Sequence, residues 1–192
     1  MSYAIFRCQS INTLNDLSHI GSHNKREKES YKSNPDIRKK DSKNNIELVK
    51  CDIKYREKFY EITKNYRKEH DEKMTTIRQD RYKSFEQMVD DSKSCVADEM
   101  IFTSDQEFFK DMTKDEILKW ANGCMEFVYN DLGYTKEQVL HSVLHLDEKT
   151  PHIHCVVVPL VKKFDKRVNK ERYSISKRDY IKDQNYLSIL QD

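Results

Sequence analysis

The ten residues His145-Leu-Asp-Glu-Lys-Thr-Pro-His-Ile-His154 decide the fold of this 192-residue chain. Apolar residues precede the stretch from 139 and follow it to 161, a pattern typical of two strands, 139–146 and 154–161. Lys149-Thr150-Pro151 predicts the turn between them. Residues two apart in a strand face the same side. His152 and His154 are therefore expected to point the same way, with His145 beside them on the neighbouring strand.

Three converging imidazoles predict an open site for one divalent cation, with positions left for water or substrate. The alternative is a set of strand histidines that only make hydrogen bonds. An all-imidazole site suits Mn²⁺ better than Mg²⁺, which prefers oxygen ligands. His141 shares the strand face, and we interpret it as a supporting or structural residue. A carboxylate in the turn, Asp147 or Glu148, can orient a ligand imidazole or hold a nucleophile.

Working outward, the chain alternates between short strands and amphipathic helices. Thr113-Lys-Asp-Glu116 is a capping box, and an apolar stripe behind it runs to Leu132, before Gly133. The other predicted segments are a strand at 3–8 with Tyr3 facing the core, a basic mobile arm within 12–45, a helix over 47–70, a strand at 99–103, a short helix through 109, a basic loop at 162–172 and a helix at 177–190. This order favours an α+β fold with a central, mainly antiparallel β-sheet and helices packed on it.

Composition excludes several classes of protein. Lys and Arg number 35 against 33 Asp and Glu, and the mean hydropathy is −0.93. We find no apolar run long enough to span a membrane and no secretory signal. Only three glycines occur and none form a phosphate loop, which argues against P-loop and Rossmann folds. Five isolated cysteines favour a reducing, cytoplasmic location. Basic residues predominate in 1–83 and 151–192, as expected of a chain that binds a polyanion.

The pattern H-x-D-E-x-x-P-H-x-H of 145–154 resembles that of the MobV (Pre/Mob) plasmid relaxases, members of the HUH superfamily. The resemblance continues in four further segments, namely Met1-Ser-Tyr-Ala-Ile-Phe-Arg7, His23-Asn-Lys-Arg26, Asn45-Ile-Glu-Leu48 and Phe102-Thr-Ser-Asp105. It implies a single relaxase domain over 1–192. Because family members usually continue into a helical C-terminal region, we expect this domain to be the N-terminal part of a longer protein, with a homodimer possible through that region.

The resemblance implies metal-dependent nicking and rejoining of one DNA strand at a plasmid origin of transfer. The partner is then single-stranded and hairpin origin DNA, and the product is covalently attached to the 5′ phosphate. His145, His152 and His154 hold the metal, and His23 matches the nucleophile. Glu148 is expected to fix the tautomer of His23 through its other ring nitrogen. Tyr3, Tyr31 and His19 are competing nucleophile candidates.

The candidate DNA-binding residues lie in two basic segments near the N-terminus and in the first strand. They are Arg7, Lys25, Arg26, Arg78 and Arg81, and the 162–172 loop is a further phosphate-binding candidate. Two other functions remain open. One is a rolling-circle replication initiator that uses Tyr173, Tyr180 or Tyr186 after the histidine strand. The other is a non-catalytic plasmid DNA-binding protein.

Overall fold

The computed structural model describes residues 3–31 and 34–183, with the side chains of 182 and 183 excepted. The strands are β1 (Ile5–Ile11), β2 (Ile46–Val49), β3 (Ala97–Thr103), β4 (Val139–His145), β5 (His152–Val157), β6 (Leu160–Asp165) and β7 (Lys170–Ile175). The α-helices are α1 (Leu14–Asn24), α2 (Tyr55–Ile62), α3 (Lys64–Met74), α4 (Phe85–Asp90), α5 (Gln106–Phe109), α6 (Lys114–Glu126) and α7 (Lys177–Asp183). Short 3-10 turns cover Lys39–Asn44 and Gln79–Arg81, and a π-helical turn covers Phe127–Asp131.

Five strands form one antiparallel sheet in the order β1-β3-β5-β4-β2, which confirms the predicted α+β fold. The central strands β4 and β5 are almost entirely buried, because helices cover both faces of the sheet. One face packs against α6 and α7 through Met125 and Tyr180. The opposite face packs against α1, α2 and α4 through Leu17, Phe59 and Val89. This three-layer arrangement isolates the middle of the sheet from water.

Local sequence signals explain the best-predicted elements. The Thr113 hydroxyl accepts a hydrogen bond from the Glu116 amide while the Glu116 carboxylate accepts one from the Thr113 amide, so the predicted capping box is confirmed. Gly133 adopts a φ of 73° after the helix. Such a left-handed conformation favours glycine, since it lacks a Cβ atom. The turn from 146 to 151 joins β4 to β5 as expected.

Two predictions about local structure were wrong. Residues 46–49 form edge strand β2, paired with β4, where we expected the start of a helix. The 162–172 segment belongs to a separate two-stranded ribbon, β6–β7, and is not a loop. The N-terminal arm was expected to be irregular or partly helical, and it contains helix α1, which Thr13 caps by accepting a hydrogen bond from the Asp16 amide. The last helix, predicted over 177–190, is observed as α7, and the predicted part over 184–190 lies outside the described residues.

Gly21 permits the close packing of α1 on α2. A Cβ atom at this position would lie 2.8 Å from Cγ of Tyr55, closer than side-chain carbons approach. Glycine therefore lets α1 lie directly against the Tyr55 ring, and the last turn of α1 carries His23 toward the sheet. Among the described helices, none is long and apolar enough to cross a membrane.

Candidate metal and nucleophile site

The three predicted metal ligands converge on one face of the sheet. His145 on β4 is directly paired with His152 on β5, and His154 lies two residues further along β5. The ring centroid of His145 is 5.2 Å from that of His152 and 5.0 Å from that of His154. The rings of His152 and His154 are 5.0 Å apart. The pairing register therefore produces the cluster that the ten-residue stretch predicts.

Two of the three imidazoles present the same nitrogen to the site. Nδ1 of His152 donates a hydrogen bond to the Thr150 carbonyl at 2.9 Å. Nδ1 of His154 donates to a Glu99 carboxylate oxygen at 2.8 Å. This leaves Nε2 of each ring to the site, which is the arrangement of metal-binding histidines held by an outer hydrogen bond.

His145 is fully buried and has both ring nitrogens hydrogen-bonded to the protein. Nε2 lies 3.0 Å from the Asn24 carbonyl and donates to it. Nδ1 accepts from Nη2 of Arg26 at 2.9 Å. Burial is the main cause of the lowered pKa of His145, with the nearby charges of His154 and Arg26 adding to it. The ring is therefore neutral, the form in which imidazole binds metal.

His23 reaches the cluster from the last turn of α1. Its ring centroid lies 5.5 Å from that of His154 and 6.2 Å from that of His145. Burial lowers the pKa of His23 to about 4, helped by the charges of His154 and Arg26. Nη1 of Arg26 donates to Nε2 of His23 at 3.2 Å, so Nε2 is the unprotonated nitrogen. The neutral ring is the nucleophilic form of histidine, and attack through Nε2 requires release of the hydrogen bond from Arg26.

Arg26 ends α1 in an unusual backbone conformation. Its φ is 56°, and the amides of Arg26 and Glu27 donate to the carbonyls of His23 and Ser22. This pattern is a Schellman motif, in which glycine is the usual residue at the left-handed position. A non-glycine residue there costs roughly 1–2 kcal/mol. The side-chain contacts of Arg26 offset that cost, and they direct its guanidinium into the site.

The guanidinium of Arg26 is 5% exposed and connects the helix to the 145–148 segment. Nε and Nη2 donate to the two carboxylate oxygens of Asp147 at 2.8 and 2.9 Å, and Nη2 also lies 2.5 Å from Glu148. Burial alone would raise the pKa of Asp147, but hydrogen bonds from Arg26 and Ser42 lower it well below its usual range. We predicted that Arg26 contacts DNA, and the structure instead engages it within the protein.

Glu148 contacts residues other than the one we expected. Its carboxylate lies 2.5 Å from Nη2 of Arg26, 3.4 Å from Nε2 of His152 and 3.0 Å from Nδ2 of Asn34. Burial would raise the pKa of Glu148, but these hydrogen bonds and the charge of His152 lower it to about 2. The carboxylate is therefore ionised beside the cluster. The predicted hydrogen bond to His23 is absent among the contacts of the described residues, because the Glu148 carboxylate is directed at Arg26, His152 and Asn34.

The donor set fits a divalent cation. Two groups of side chains bring potential ligand atoms within 4.8 Å of one another, one formed by His23, His145 and His154 and the other by His145, Glu148 and His152. Two buried carboxylates, Asp147 and Glu99, and the partly buried Glu148 lie beside the cluster, and the Arg26 guanidinium pairs with Asp147 and Glu148. A dication bound among the imidazoles would balance the remaining negative charge. Binding through His145 requires release of one of its two hydrogen bonds.

The competing nucleophile candidates occupy different environments. Tyr31 lies next to His23, with ring centroids 5.9 Å apart. Tyr3 is 65% exposed before β1, so the prediction that it faces the core was wrong. His19 is exposed on α1. Tyr180 is buried in α7 and stacks on Tyr134 in the core on the opposite face of the sheet. Tyr186 lies outside the described residues.

The remaining DNA-binding candidates divide by exposure. Arg7 on β1 and Arg81 are exposed. Arg78 is exposed and forms an ion pair with Asp80 at 2.7 Å. Nζ of Lys25 donates to the Ile53 carbonyl at 2.6 Å, which holds it against α2. Three of the five candidates therefore face solvent, while Lys25 and Arg26 make contacts within the protein.

The sequence analysis missed two residues that support the cluster. Glu99 on β3 lies beside His154 because β3 and β5 are paired, and Ile101, two residues along β3, is opposite His154. Burial would raise the pKa of Glu99, but the hydrogen bond and charge of His154 lower it. Asn24, next to His23, is buried and donates to Glu99 at 3.2 Å. Strand alternation would have found Glu99 only once the register of β3 was known.

Comparison with known proteins identifies the relatives of this fold and site. The family model described as plasmid recombination enzyme (Mob_Pre) matches residues 1–188. The chain belongs to the plasmid recombination enzyme family. Over 182 residues it is 31% identical to plasmid recombination enzyme type 1 of Staphylococcus aureus, covering 94% of this chain and 40% of that protein. It is 34% identical over 161 residues to the plasmid recombination enzyme of Bacillus sp, covering 83% and 34%.

Solved structures of this family share the fold. The chain is similar to the MobM relaxase domain, solved with Mn and bound to plasmid pMV158 oriT DNA, with a TM-score of 0.61 and 25% identity. That match covers 88% of this chain and 78% of the other. A second structure of the same domain gives a TM-score of 0.64 at 23% identity, which supports the fold alone. The chain spans well under half the length of the curated plasmid recombination enzymes that it matches.

Proposed function

We propose that this chain is a relaxase domain that nicks and rejoins one DNA strand at a plasmid origin of transfer. The observation that carries the proposal is the position of His23, a neutral imidazole within 5.5 Å, ring to ring, of a cluster of three others. Family membership and similarity to a relaxase domain solved with origin DNA support the same reaction. The proposal concerns the activity of this domain alone, because the chain covers only 40% and 34% of the two curated relatives.

In the proposed reaction, His23 is the nucleophile. Its unprotonated nitrogen attacks the scissile phosphorus, the P–N bond forms as the bond to the 3′ oxygen breaks, and the leaving oxygen takes a proton. The 5′ phosphate stays on the histidine as a phosphoramidate. Attack by a 3′ hydroxyl reverses these steps and rejoins the strand. Arg26 assists by donating to the nucleophilic nitrogen before substrate arrives, which keeps that nitrogen unprotonated.

His145, His152 and His154 would hold the metal. A bound divalent cation would offset the negative charge that develops on the non-bridging phosphate oxygens. Mn²⁺ suits the imidazole donors better than Mg²⁺. Ionised Glu148 lies against both His152 and Arg26. We assign it the role of keeping the metal-binding and nucleophile-bearing segments together, which replaces direct contact with His23.

Single-stranded and hairpin origin DNA is the proposed partner. Exposed Arg7, Arg78 and Arg81 are the candidate phosphate contacts, because solvated guanidinium groups release counterions from DNA when they bind it. Lys25 and Arg26 contribute by shaping the end of α1. A homodimer formed through a longer C-terminal region stays a prediction.

The decisive experiment is to incubate the protein with labelled single-stranded origin DNA and Mn²⁺ and to map any covalent adduct by mass spectrometry. We expect an adduct on His23 that hydrolyses in acid and survives alkali, since a P–N bond has this stability and a tyrosyl phosphodiester does not. His23→Ala is expected to lose the adduct while keeping metal and DNA binding. Tyr173→Phe and Tyr180→Phe serve as controls and are expected to nick normally.

Two outcomes would contradict the proposal. An acid-stable adduct on a tyrosine would favour a replication initiator or a tyrosine-using relaxase. DNA binding with no adduct under any metal condition would favour a non-catalytic DNA-binding protein. Buried Tyr180, stacked on Tyr134, argues against the first alternative at that position.

A further inference from the structure

A buried chain of hydrogen bonds runs behind the histidine cluster, and we call it the Tyr55 network. Its members are Glu47, His141, Tyr55, Asn24 and Glu99. Glu47 accepts from Nε2 of His141 at 2.9 Å, and the Tyr55 hydroxyl contacts Nδ1 of the same ring. Nδ2 of Asn24 lies 3.2 Å from the Tyr55 hydroxyl and 3.2 Å from the Glu99 carboxylate. The network therefore extends from solvent-accessible Glu47 to the carboxylate that holds His154.

Chemistry fixes the direction of every hydrogen bond in the Tyr55 network. The Glu47 carboxylate can only accept, so Nε2 of His141 carries the proton and Nδ1 carries the lone pair. The Tyr55 hydroxyl then donates to Nδ1 of His141 and accepts from the Asn24 amide. Asn24 uses its NH₂ group on both sides, toward Tyr55 and toward Glu99. Because an amide that donates twice cannot relay a proton, the network can hold side chains in place but cannot conduct protons.

Asn24 is the point where the Tyr55 network meets the reacting groups. Its backbone carries the adjacent nucleophile candidate His23, and its carbonyl accepts from Nε2 of His145 at 3.0 Å. Its amide holds Glu99, which holds His154. The side chain of Asn24 is 2% exposed, and Oδ1 is buried without a hydrogen-bond partner in the described part of the chain. The amide orientation thus depends on the donated bonds to Tyr55 and Glu99 alone.

Packing leaves Tyr55 little freedom to move. The side chain is 2% exposed and contacts α1 at Gly21, where no Cβ atom could fit. His141 is 1% exposed on β4 and packs against the Tyr55 ring, with centroids 5.4 Å apart. The hydroxyl therefore has one defined position, between β4 and the last turn of α1. None of the reactions described above uses Tyr55 or His141.

We propose that Tyr55, held by His141 and Glu47, is a positioning residue for DNA nicking that sets the Asn24 amide and through it the places of His23 and His154. The proposal rests on the proposed function for its activity readout. It extends that function, because it assigns a role to buried Tyr55 and His141 and to exposed Glu47, which lie outside the metal and nucleophile set. Loss of a group that hydrogen-bonds a metal-ligating histidine directly costs about 10–100-fold in metal affinity or activity, and Tyr55 acts further out, through Asn24 and Glu99.

The test compares Tyr55→Phe with Tyr66→Phe in the full chain. Each substitution removes one phenol hydroxyl and keeps the ring, but within the described part of the chain the Tyr66 hydroxyl hydrogen-bonds only the Met88 sulfur, at 3.4 Å. At saturating Mn²⁺ and origin DNA, we expect Tyr55→Phe to form the adduct about tenfold more slowly or worse. Its DNA affinity is expected to stay within about twofold of the wild type, because the hydroxyl is buried. Tyr66→Phe is expected to match the wild type. A normal rate in folded Tyr55→Phe would overturn the proposal.

Substitutions at His141 give an independent test should Tyr55→Phe fail to fold. His141→Asn keeps an acceptor oxygen near the place of Nδ1, whereas His141→Leu removes it. We expect His141→Leu to slow adduct formation and His141→Asn to recover most of the rate. A purely structural role for His141 predicts rates that follow the folded fraction of each variant, measured by thermal unfolding, and that outcome would contradict the proposal.

A spectroscopic measurement separates this proposal from the proposed function. In chelator-treated protein, the ring ¹⁵N chemical shifts of His23 and His154 report their hydrogen bonding without any DNA chemistry. We expect Tyr55→Phe to shift both sets of signals and Tyr66→Phe to shift neither. Unchanged signals in Tyr55→Phe would overturn the positioning role, even if the wild-type protein formed no adduct. Shifted signals without an adduct would contradict only the proposed function.

Discussion

The Arg26 guanidinium and the Asp147 carboxylate, 121 positions apart in the chain, form a two-pronged ion pair at 2.8 and 2.9 Å. The Asp147 side chain is fully buried, and that of Arg26 nearly so. This pair joins the end of α1 to the turn after β4, and so brings the candidate nucleophile to the candidate metal ligands. The positive charge of Arg26 also compensates the negative charge of the Asp147 carboxylate, which is shielded from water.

The first prediction concerns the stability of this ion pair. Arg26→Ala leaves Asp147 buried and unpaired, so the free energy of unfolding is expected to fall by about 3–5 kcal/mol. Arg26→Lys keeps the charge but loses the two-pronged geometry, so its free energy of unfolding is expected to fall by less than that of Arg26→Ala. Urea unfolding followed by circular dichroism measures both. Arg26→Ala combined with Asp147→Asn should recover part of the stability, and a simple sum of the single effects would argue against direct coupling.

The second prediction concerns metal binding. His152→Ala and His154→Ala each remove an imidazole whose Nδ1 is fixed by an outer hydrogen bond and whose Nε2 is the proposed metal ligand. Each substitution is therefore expected to weaken Mn²⁺ binding by at least about tenfold. Isothermal titration calorimetry is the measurement. Exposed His19 provides the matched control, and His19→Ala should bind like the wild type. Undiminished affinity in the His152→Ala, His154→Ala double variant would show that the ion binds elsewhere.

The third prediction concerns the pH dependence of nicking. The pKa of His23 is lowered to about 4, so the ring is neutral at pH 6 and loses its nucleophilic form only as the pH falls toward 4. A bound cation would lower this pKa further. With saturating Mn²⁺, single-turnover rates of adduct formation should therefore change little between pH 8 and 6. A steep fall centred near pH 6.5 would indicate a histidine with an ordinary pKa as the attacking group.

The fourth prediction concerns DNA affinity. Arg78→Glu and Arg81→Glu reverse exposed charges that make no contact with the histidine cluster within the described part of the chain, so both should weaken binding to origin DNA without changing Mn²⁺ affinity. For single-stranded DNA, each lost phosphate contact should reduce the slope of log affinity against log salt by about 0.7. Fluorescence anisotropy at several salt concentrations measures this slope. Exposed Lys110, the residue after α5, provides the control, and Lys110→Glu is expected to keep the slope. Equal effects of all three substitutions would indicate a nonspecific charge effect.

Local patterns in the sequence determined much of this protein. The 145–154 stretch determined two paired strands and a shared histidine face, because alternation along a strand and a short turn act over a few residues. The capping box at Thr113 and the apolar stripe behind it determined α6 for the same reason. The resemblance of His23-Asn-Lys-Arg26 to the family's first motif added the nucleophile candidate, which the alternation of strands alone could not supply.

Only the tertiary structure decided how distant segments meet at the site. Glu99 orients His154 because β3 pairs with β5, and nothing near Glu99 in the sequence specifies that register. The 46–49 segment became an edge strand because β4 offered it hydrogen-bond partners, although a helix was the local expectation. Glu148 contacts Arg26 and not His23, since the guanidinium that neutralises buried Asp147 also attracts the Glu148 carboxylate. Long-range hydrogen bonding and charge compensation depend on the assembled sheet, so local sequence patterns do not reveal them.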